Sequence, residues 1–272
     1  METIFKNTNK EYHSGEGVSK SDLDLLHICP AKYRYRKDNP DEHETPALLF
    51  GSMVHKLILE FDEFEKEFAV APEGDKRTKA GKQAFDDFMA TVGDRKVVSL
   101  ADYEEGCRIR DAVMTNPKAK QLLTGGDTET SYYWNDERTG VKCKCRPDKV
   151  NMGYIIDLKT TNDASREGFA RSLFNYRYHV QAAWYLKGYE AATGIKPAGF
   201  IFVAVEKEAP YATAIYIVND VTVDIGMSEA ATDLDTYVAC SESGNWYGYG
   251  GENNEAMTID LPAWVIKRKE NE

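Results

Sequence analysis

The chain has 272 residues, 42% hydrophobic and 29% charged, which excludes the disordered and fibrous classes; at roughly 100–200 residues per domain it has room for one large domain or two small ones. No run of about 18 apolar residues occurs and the first ten residues hold no apolar stretch, so no membrane span or secretory signal is readable and the cytoplasm is the expected compartment. The net charge of -11, from 45 acidic and 34 basic residues, argues in bulk against nucleic acid, because phosphate binding is driven by Lys and Arg releasing counterions.

The first third reads as helical. Ser19-Lys-Ser-Asp22 has the form of a capping box, and Leu23, Leu26 and His27 follow at helical spacing until Pro30 interrupts. After a polar segment over 38–46, a second helix is expected over about 47–60, with Leu48, Gly51, His55 and Leu59 on related turns. A charged loop over 71–81 precedes amphipathic helices near 82–91 and 100–123. The character changes at Gly125-Gly126. Residues 128–134 are β-branched and aromatic, 135–140 form a turn, and 141–150 alternate apolar with charged positions, so together they predict a hairpin. A third strand follows at about 154–160, then a capped helix from about 163, broken near Asn175, and another over 178–193 ended by Gly194. Strands at 198–205 and 211–218 and a helix over 221–240 complete the order. This predicts an α/β fold in a single domain, with a helical part over about 1–124, a catalytic core over about 125–240 and a terminal segment over 241–272.

The bulk charge hides a clustering of cations. Lys32-Tyr-Arg-Tyr-Arg-Lys37 interleaves Lys32, Arg34, Arg36 and Lys37 with tyrosines, Lys142-Cys-Lys-Cys-Arg146 alternates cations along one strand face, and Arg166, Arg171 and Arg177 recur downstream. Each run alone reads as a solvated face; their recurrence around one acidic constellation makes Lys32, Arg34, Arg36, Lys37, Arg146 and Arg177 candidate phosphate contacts. The five cysteines are odd in number and scattered, which speaks against a disulfide framework, and the spacing of Cys143 and Cys145 does not suit zinc.

That constellation lies on Tyr154-Ile-Ile-Asp-Leu-Lys-Thr160. Alternation puts Asp157 and Lys159 on one face and Ile156 and Leu158 on the other, so a strand with bulky aliphatics also carries charges that need compensation. A short turn around Asn151-Met-Gly153 would bring Asp148 beside Asp157 on the neighbouring strand. Two adjacent carboxylates repel unless one protonates or a cation lies between them. Mg²⁺ suits such oxygen ligands and keeps waters for substrate phosphates, and Lys159 would orient the attacking water and stabilise developing charge. On spacing alone a second reading stays open, in which Asp148, Lys149, Asp157 and Lys159 form structural salt bridges.

Pro147-Asp148, eight residues, then Asp157-Leu158-Lys159 resembles the signature of the PD-(D/E)XK nuclease superfamily. Gly51-Ser-Met-Val-His55 and Gln181-Ala-Ala-Trp-Tyr185 resemble the further motifs of its RecB-like and lambda-exonuclease-like branch. Ser19-Lys-Ser-Asp-Leu-Asp-Leu-Leu26, Cys29-Pro-Ala-Lys-Tyr33, Cys145-Arg-Pro-Asp148, Asp157-Leu-Lys-Thr-Thr161 and Tyr176-Arg-Tyr-His-Val-Gln181 follow the order of the C-terminal nuclease domain of the RecE (exonuclease VIII) group.

The resemblance implies a restriction-endonuclease-like core, a mixed sheet flanked by helices. By matching positions it implies Asp148, Asp157 and His55 as metal ligands with the carbonyl of Leu158, Lys159 as catalytic lysine, and Gln181 and Tyr185 lining the site; Glu129 is a candidate supporting carboxylate. It further implies a Mg²⁺-dependent exodeoxyribonuclease, with Mn²⁺ able to substitute. Such an enzyme degrades one strand of linear double-stranded DNA from its ends, 5′ to 3′, leaving single-stranded tails for recombination in a bacterial host. Expected partners are a single-strand annealing protein of the RecT type and further copies of the chain in a ring, with four favoured. Asn245-Trp-Tyr-Gly-Tyr249, with Trp264 and Ile266, is either a ring interface or core packing. An endonuclease of the same fold and a catalytically inactive DNA-binding module are the alternatives. Exonuclease VIII is much longer, and only its C-terminal part corresponds.

Overall fold

The alternation along the strand that carries Asp157 organises the structure. In the computed structural model, which describes residues 3–40, 45–74 and 77–263, the chain forms two units: Met1–Lys20 with Asp41–Ala231, and Ser21–Pro40 with Thr232–Glu272. In chain order the elements are β1 (Ile4–Phe5), α1 (Asn9–Ser14), α2 (Lys20–Ile28), α3 (Pro30–Asp38), α4 (Pro46–Leu59), a 3₁₀ turn (Phe61–Glu63), α5 (Phe64–Glu67), β2 (Phe68–Val70), α6 (Lys79–Val92), β3 (Lys96–Val98), α7 (Leu100–Thr115) and α8 (Pro117–Leu123). There follow β4 (Asp127–Thr128), β5 (Ser131–Asn135), β6 (Lys142–Cys145), β7 (Lys149–Asn151), β8 (Tyr154–Thr161), α9 (Arg166–Asn175), α10 (Tyr178–Thr193), β9 (Gly199–Glu206), β10 (Thr213–Ile217) and α11 (Asp220–Ser243). No helix among the described residues is long and apolar enough to cross a membrane.

In the first unit the main sheet has the order β10-β9-β8-β7-β4. β8 and β9 run parallel with Asp157 opposite Phe202, a pairing that needs a crossover, which α9 and α10 supply. The other neighbours are antiparallel. On one face Ile156, Leu158, Ile201, Val203 and Val205 pack with Met53, Val54 and Leu57 of α4 and Ile109 and Val113 of α7. On the other, Ile155, Phe200, Phe202 and Ala204 pack with Phe169 of α9 and Ala182 of α10. The period-two pattern thus builds a mixed sheet covered by helices on both faces. β7 and β8 are joined by Met152-Gly153, with φ of 53° and 80°, the left-handed pair that a two-residue hairpin turn requires.

Two predicted elements divide. Residues 141–150 do not form one strand: β6 pairs with β5 in a separate sheet ordered β1-β5-β6, whereas β7 joins the main sheet between β8 and β4. The break falls at Arg146-Pro147-Asp148, because Pro147 has no N–H to give to a ladder. The expected helix over 100–123 ends at Asn116, whose Oδ1 accepts from Lys118 N and Ala119 N at 3.1 Å each to cap α8, with Pro117 in its first turn. Pro30 likewise opens α3 as well as ending the turn before it. The parallel pair of β2 and β3, three residues each, is too short for periodicity to reveal.

In the second unit Tyr33 of α3 meets Tyr237 edge-on at 5.8 Å and Trp246 at 5.2 Å, and Ala31 N donates to the Tyr247 carbonyl at 3.0 Å. Trp246 and Tyr247 are therefore engaged within this unit, while Tyr249 is exposed. Trp264 and Ile266 lie outside the described residues.

Candidate active site

Asp157 and Lys159 project from β8 toward α10, opposite the aliphatic side chains of Ile156 and Leu158. Asp157 is buried to 1% exposure, with Oδ1 at 2.5 Å from Lys159 Nζ. Its Oδ2 accepts from Gln181 Nε2 on α10. The Lys159 ammonium also lies 4.6 Å from the centre of the Tyr178 ring, in the first turn of the same helix. Burial works against the ammonium, but the Asp157 and Asp148 carboxylates outweigh it and hold the lysine pKa above its usual value.

Beside this pair lies a cluster of three ligand types. Potential ligand atoms of His55, Glu129 and Asp148 all fall within 4.8 Å of one another. Asp148 Oδ2 accepts from Leu158 N at 2.8 Å and faces His55 Nδ1 at 3.4 Å. Burial, then the nearby Asp157 carboxylate, push the Asp148 carboxyl up to about 8. Burial, then Asp148, also push Glu129 up, although Arg146 opposes them. Burial, then Lys159, push His55 down, while the ring hydrogen-bonds to the Leu158 backbone; a neutral imidazole is the form that binds metals.

The backbone explains how these groups converge. α4 starts at the Thr45 cap, whose Oγ1 accepts from Leu48 N at 3.3 Å, and buries Met53, Val54, Leu57 and Ile58, which brings the neighbouring His55 to Asp148 and the Leu158 backbone. One helical turn earlier, a Cβ on Gly51 would meet nothing within 4 Å, so packing does not demand that glycine. Glu129 sits where the chain passes from β4 to β5 at φ 47°, a left-handed conformation costly for a glutamate and found most often at functional sites. Its N–H donates to the Asp148 carbonyl at 3.1 Å, and Arg146 Nε donates to its Oε2 at 2.6 Å.

Two half-buried carboxylates with raised pKa, an imidazole and an adjoining peptide carbonyl form a donor set rich in oxygen. That set fits a hard divalent cation. Of the residues singled out from the sequence, the fold brings together His55, Glu129, Arg146, Asp148, Asp157, Leu158, Lys159 and Gln181. Tyr185 is half-buried nearby; burial, then the charges of Tyr12, Asp157 and other neighbours, push its phenol up. Glu129 stands in the three-residue cluster itself, whereas the Asp157 oxygens are engaged by Lys159 and Gln181. Arg146 Nη1 is buried without a hydrogen-bond partner. Arg177 pairs with Glu229 at 3.1 Å and its side chain is 11% exposed. Lys32, Arg34, Arg36 and Lys37 lie exposed on α3 in the second unit, where Arg34 pairs with Asp38 and Lys37 lies 2.9 Å from Asp22. Tyr178 was not singled out, although its place three residues before Gln181 on one helix face was a usable signal.

Comparison with known proteins bears on the family and the fold. Residues 19–257 match the family described as a PDDEXK-like domain of unknown function (DUF3799). No curated protein sequence matches the chain significantly. Among solved structures, one named "putative exonuclease" from Eubacterium rectale is similar with a TM-score of 0.61 and 16% identity, covering 96% of this chain and 98% of its own. A phage-related exonuclease from Haemophilus somnus 129PT overlaps at a TM-score of 0.38 and 13% identity, over 87% of this chain and 100% of its own. The expected restriction-endonuclease-like core is thereby met, and with the family match spanning most of its length the chain belongs to the PDDEXK-like family DUF3799, within the PD-(D/E)XK nuclease superfamily.

Proposed function

We propose that this chain is a divalent-metal-dependent exodeoxyribonuclease that degrades one strand of linear double-stranded DNA from its ends, with Mg²⁺ as the working ion and Mn²⁺ able to replace it. The observation that carries this reading is the charge-deficient cluster of His55, Glu129 and Asp148 set against the Asp157–Lys159 pair. His55, Glu129 and Asp148, with the Leu158 carbonyl and Asp157, would hold the ion. A divalent cation there supplies Lewis-acid polarisation of the phosphoryl oxygen.

The protein's own groups do the remaining work. Lys159, kept protonated by its carboxylate neighbours, donates toward the phosphoryl oxygens and stabilises the charge that grows on them. It cannot act as a base in that state, so its role is to orient the attacking water and neutralise charge. Gln181 fixes the Asp157 carboxylate and through it the position of Lys159. Arg146 orients Glu129 through Nε.

The finer reading follows the resemblance: polarity 5′ to 3′, single-stranded tails passed to an annealing protein of the RecT type, action in the bacterial cytoplasm, and a homo-oligomeric ring of four. The family match crosses both units, which supports one nuclease domain. End-labelled linear and covalently closed circular duplexes incubated with and without Mg²⁺ test the core claim. Metal-dependent loss of the linear form alone is expected; cutting of the closed circle would make the enzyme an endonuclease. Light scattering should return a mass several times 30.7 kDa, and a monomer at micromolar concentration would remove the ring.

A further inference from the structure

We propose that Tyr176 is a stacking platform for the nucleobase beside the phosphodiester held at Lys159, so that the strand enters the site with an unpaired base. This rests on the nuclease reading of the site and deepens it by naming the form of the substrate. Tyr178 lies over the Lys159 ammonium at 4.6 Å, and Tyr176 stacks on Tyr178 with ring centres 5.5 Å apart and planes at 29°. The stack therefore runs from the lysine outward to solvent, where Tyr176 is 62% exposed. Two residues earlier, Phe174 is also exposed and stacks on the buried His179 at 6.4 Å and 9°.

These rings sit on a turn that is held in place. Lys20 Nζ donates to the Tyr176 carbonyl at 2.8 Å, Tyr176 N donates to the Ser172 carbonyl and Arg177 N to the Phe174 carbonyl, each at 3.0 Å. Arg177 closes the turn at φ 52° and, with His179, is fixed by Glu229. A rigid platform loses little freedom when it binds, and an uncharged ring two positions from a phosphate-seeking ammonium matches a nucleotide, which carries a charged phosphate and a flat base on one sugar. Stacking accepts any base, because each has a π-face. A base lying on Tyr176 has left its own helical stack, so the platform favours a frayed or single-stranded end over a closed duplex.

The test compares end-labelled duplexes that differ only at the nucleotide beside the cut, which is an unpaired base, a paired base or an abasic site. Tyr176→Ala should raise KM for the unpaired base about tenfold with little change in kcat, should leave the abasic substrate unaffected, and Tyr176→Phe should restore wild-type values. In Ca²⁺, a 2-aminopurine at that position should be quenched on binding wild-type protein and not on binding Tyr176→Ala. Equal losses on abasic and base-bearing ends, or unchanged quenching, would overturn the platform while leaving the nuclease intact. Quenching without cleavage of any substrate in Mg²⁺ or Mn²⁺ would instead overturn the nuclease reading.

Discussion

Two carboxylate sites in the first unit, one buried and one half-buried, have opposite electrostatics. Asp136, 2% exposed at the turn between β5 and β6, receives Lys187 Nζ at 2.5 Å, Thr139 N at 3.0 Å and Thr139 Oγ1 at 2.9 Å. Burial alone would raise this carboxyl, but those bonds outweigh it and hold it below the usual range. Asp148 and Glu129 share one backbone N–H, one guanidinium, an imidazole and the Lys159 ammonium that Asp157 already pairs, and both are still pushed up. The chain compensates fully the carboxylate that serves the fold; at the other site its own groups compensate only in part, which leaves room for protonation or for a cation. Asp157 pairs with Lys159 as the salt-bridge reading expects, whereas the weaker compensation of Asp148 and Glu129 supports the proposed metal-site reading.

The largest effects should follow from disturbing the undercompensated site. Asp157→Asn and Lys159→Ala should each lower single-turnover cleavage on the order of 10³-fold, beyond the loss from one oxyanion donor, because each removes a charge acting on the transition state. Duplex affinity measured in Ca²⁺ should stay near wild type for Lys159→Ala; a defect confined to binding would make this lysine a phosphate anchor.

Stability should respond in the reverse order. Asp136→Asn should cost about 2 kcal/mol by stranding Lys187 and weakening the turn. Asp148→Asn should leave the metal-free protein as stable as wild type or raise its Tm by a few degrees, since it removes a repulsion, at roughly 2–4 °C per kcal/mol. Chemical denaturation of the two variants in chelator would contradict the comparison if both lost the same amount.

A smaller effect concerns acid. A carboxyl held below its usual range contributes stability that is complete above its unfolded pKa, about 4, and is lost as pH falls through the folded value. The gap between wild type and Asp136→Asn should therefore persist from pH 7 to 5 and begin to close only below about pH 4. A gap that widened in acid would reverse the assignment of Asp136.

The smallest effect is expected at α3, whose cations are exposed and partly matched by acids of their own unit. Replacing Arg34 and Arg36 by alanine should weaken DNA binding alike across sequences and flatten the salt dependence of log K by roughly 1–2. An unchanged slope would return this helix to the solvated surface.

Much of the site was legible because strand alternation and helical spacing are local. Asp157 and Lys159 share a face by period two, Gln181 and Tyr185 by a helical turn, and the Met152-Gly153 hairpin makes Asp148 the neighbour of Leu158. What escaped depends on chain crossings that no local period encodes. Pro147 diverts β6 and β7 into different sheets, and that diversion, with the left-handed backbone at Glu129, moves a residue expected to play a supporting part into the cluster. Arg146, expected on a phosphate-binding strand face, turns inward to Glu129 for the same reason. Tyr178 needed the packing of α10 across β8 to become the cover of Lys159.

The most direct measurement is calorimetric titration of Mn²⁺ into the metal-free protein and into Asp148→Asn. The expected result is a binding event in the wild-type chain that is lost or strongly weakened in Asp148→Asn, with cleavage lost alongside it. Equal Mn²⁺ binding by both proteins, or cleavage in chelator, would contradict a metal site built on His55, Glu129 and Asp148.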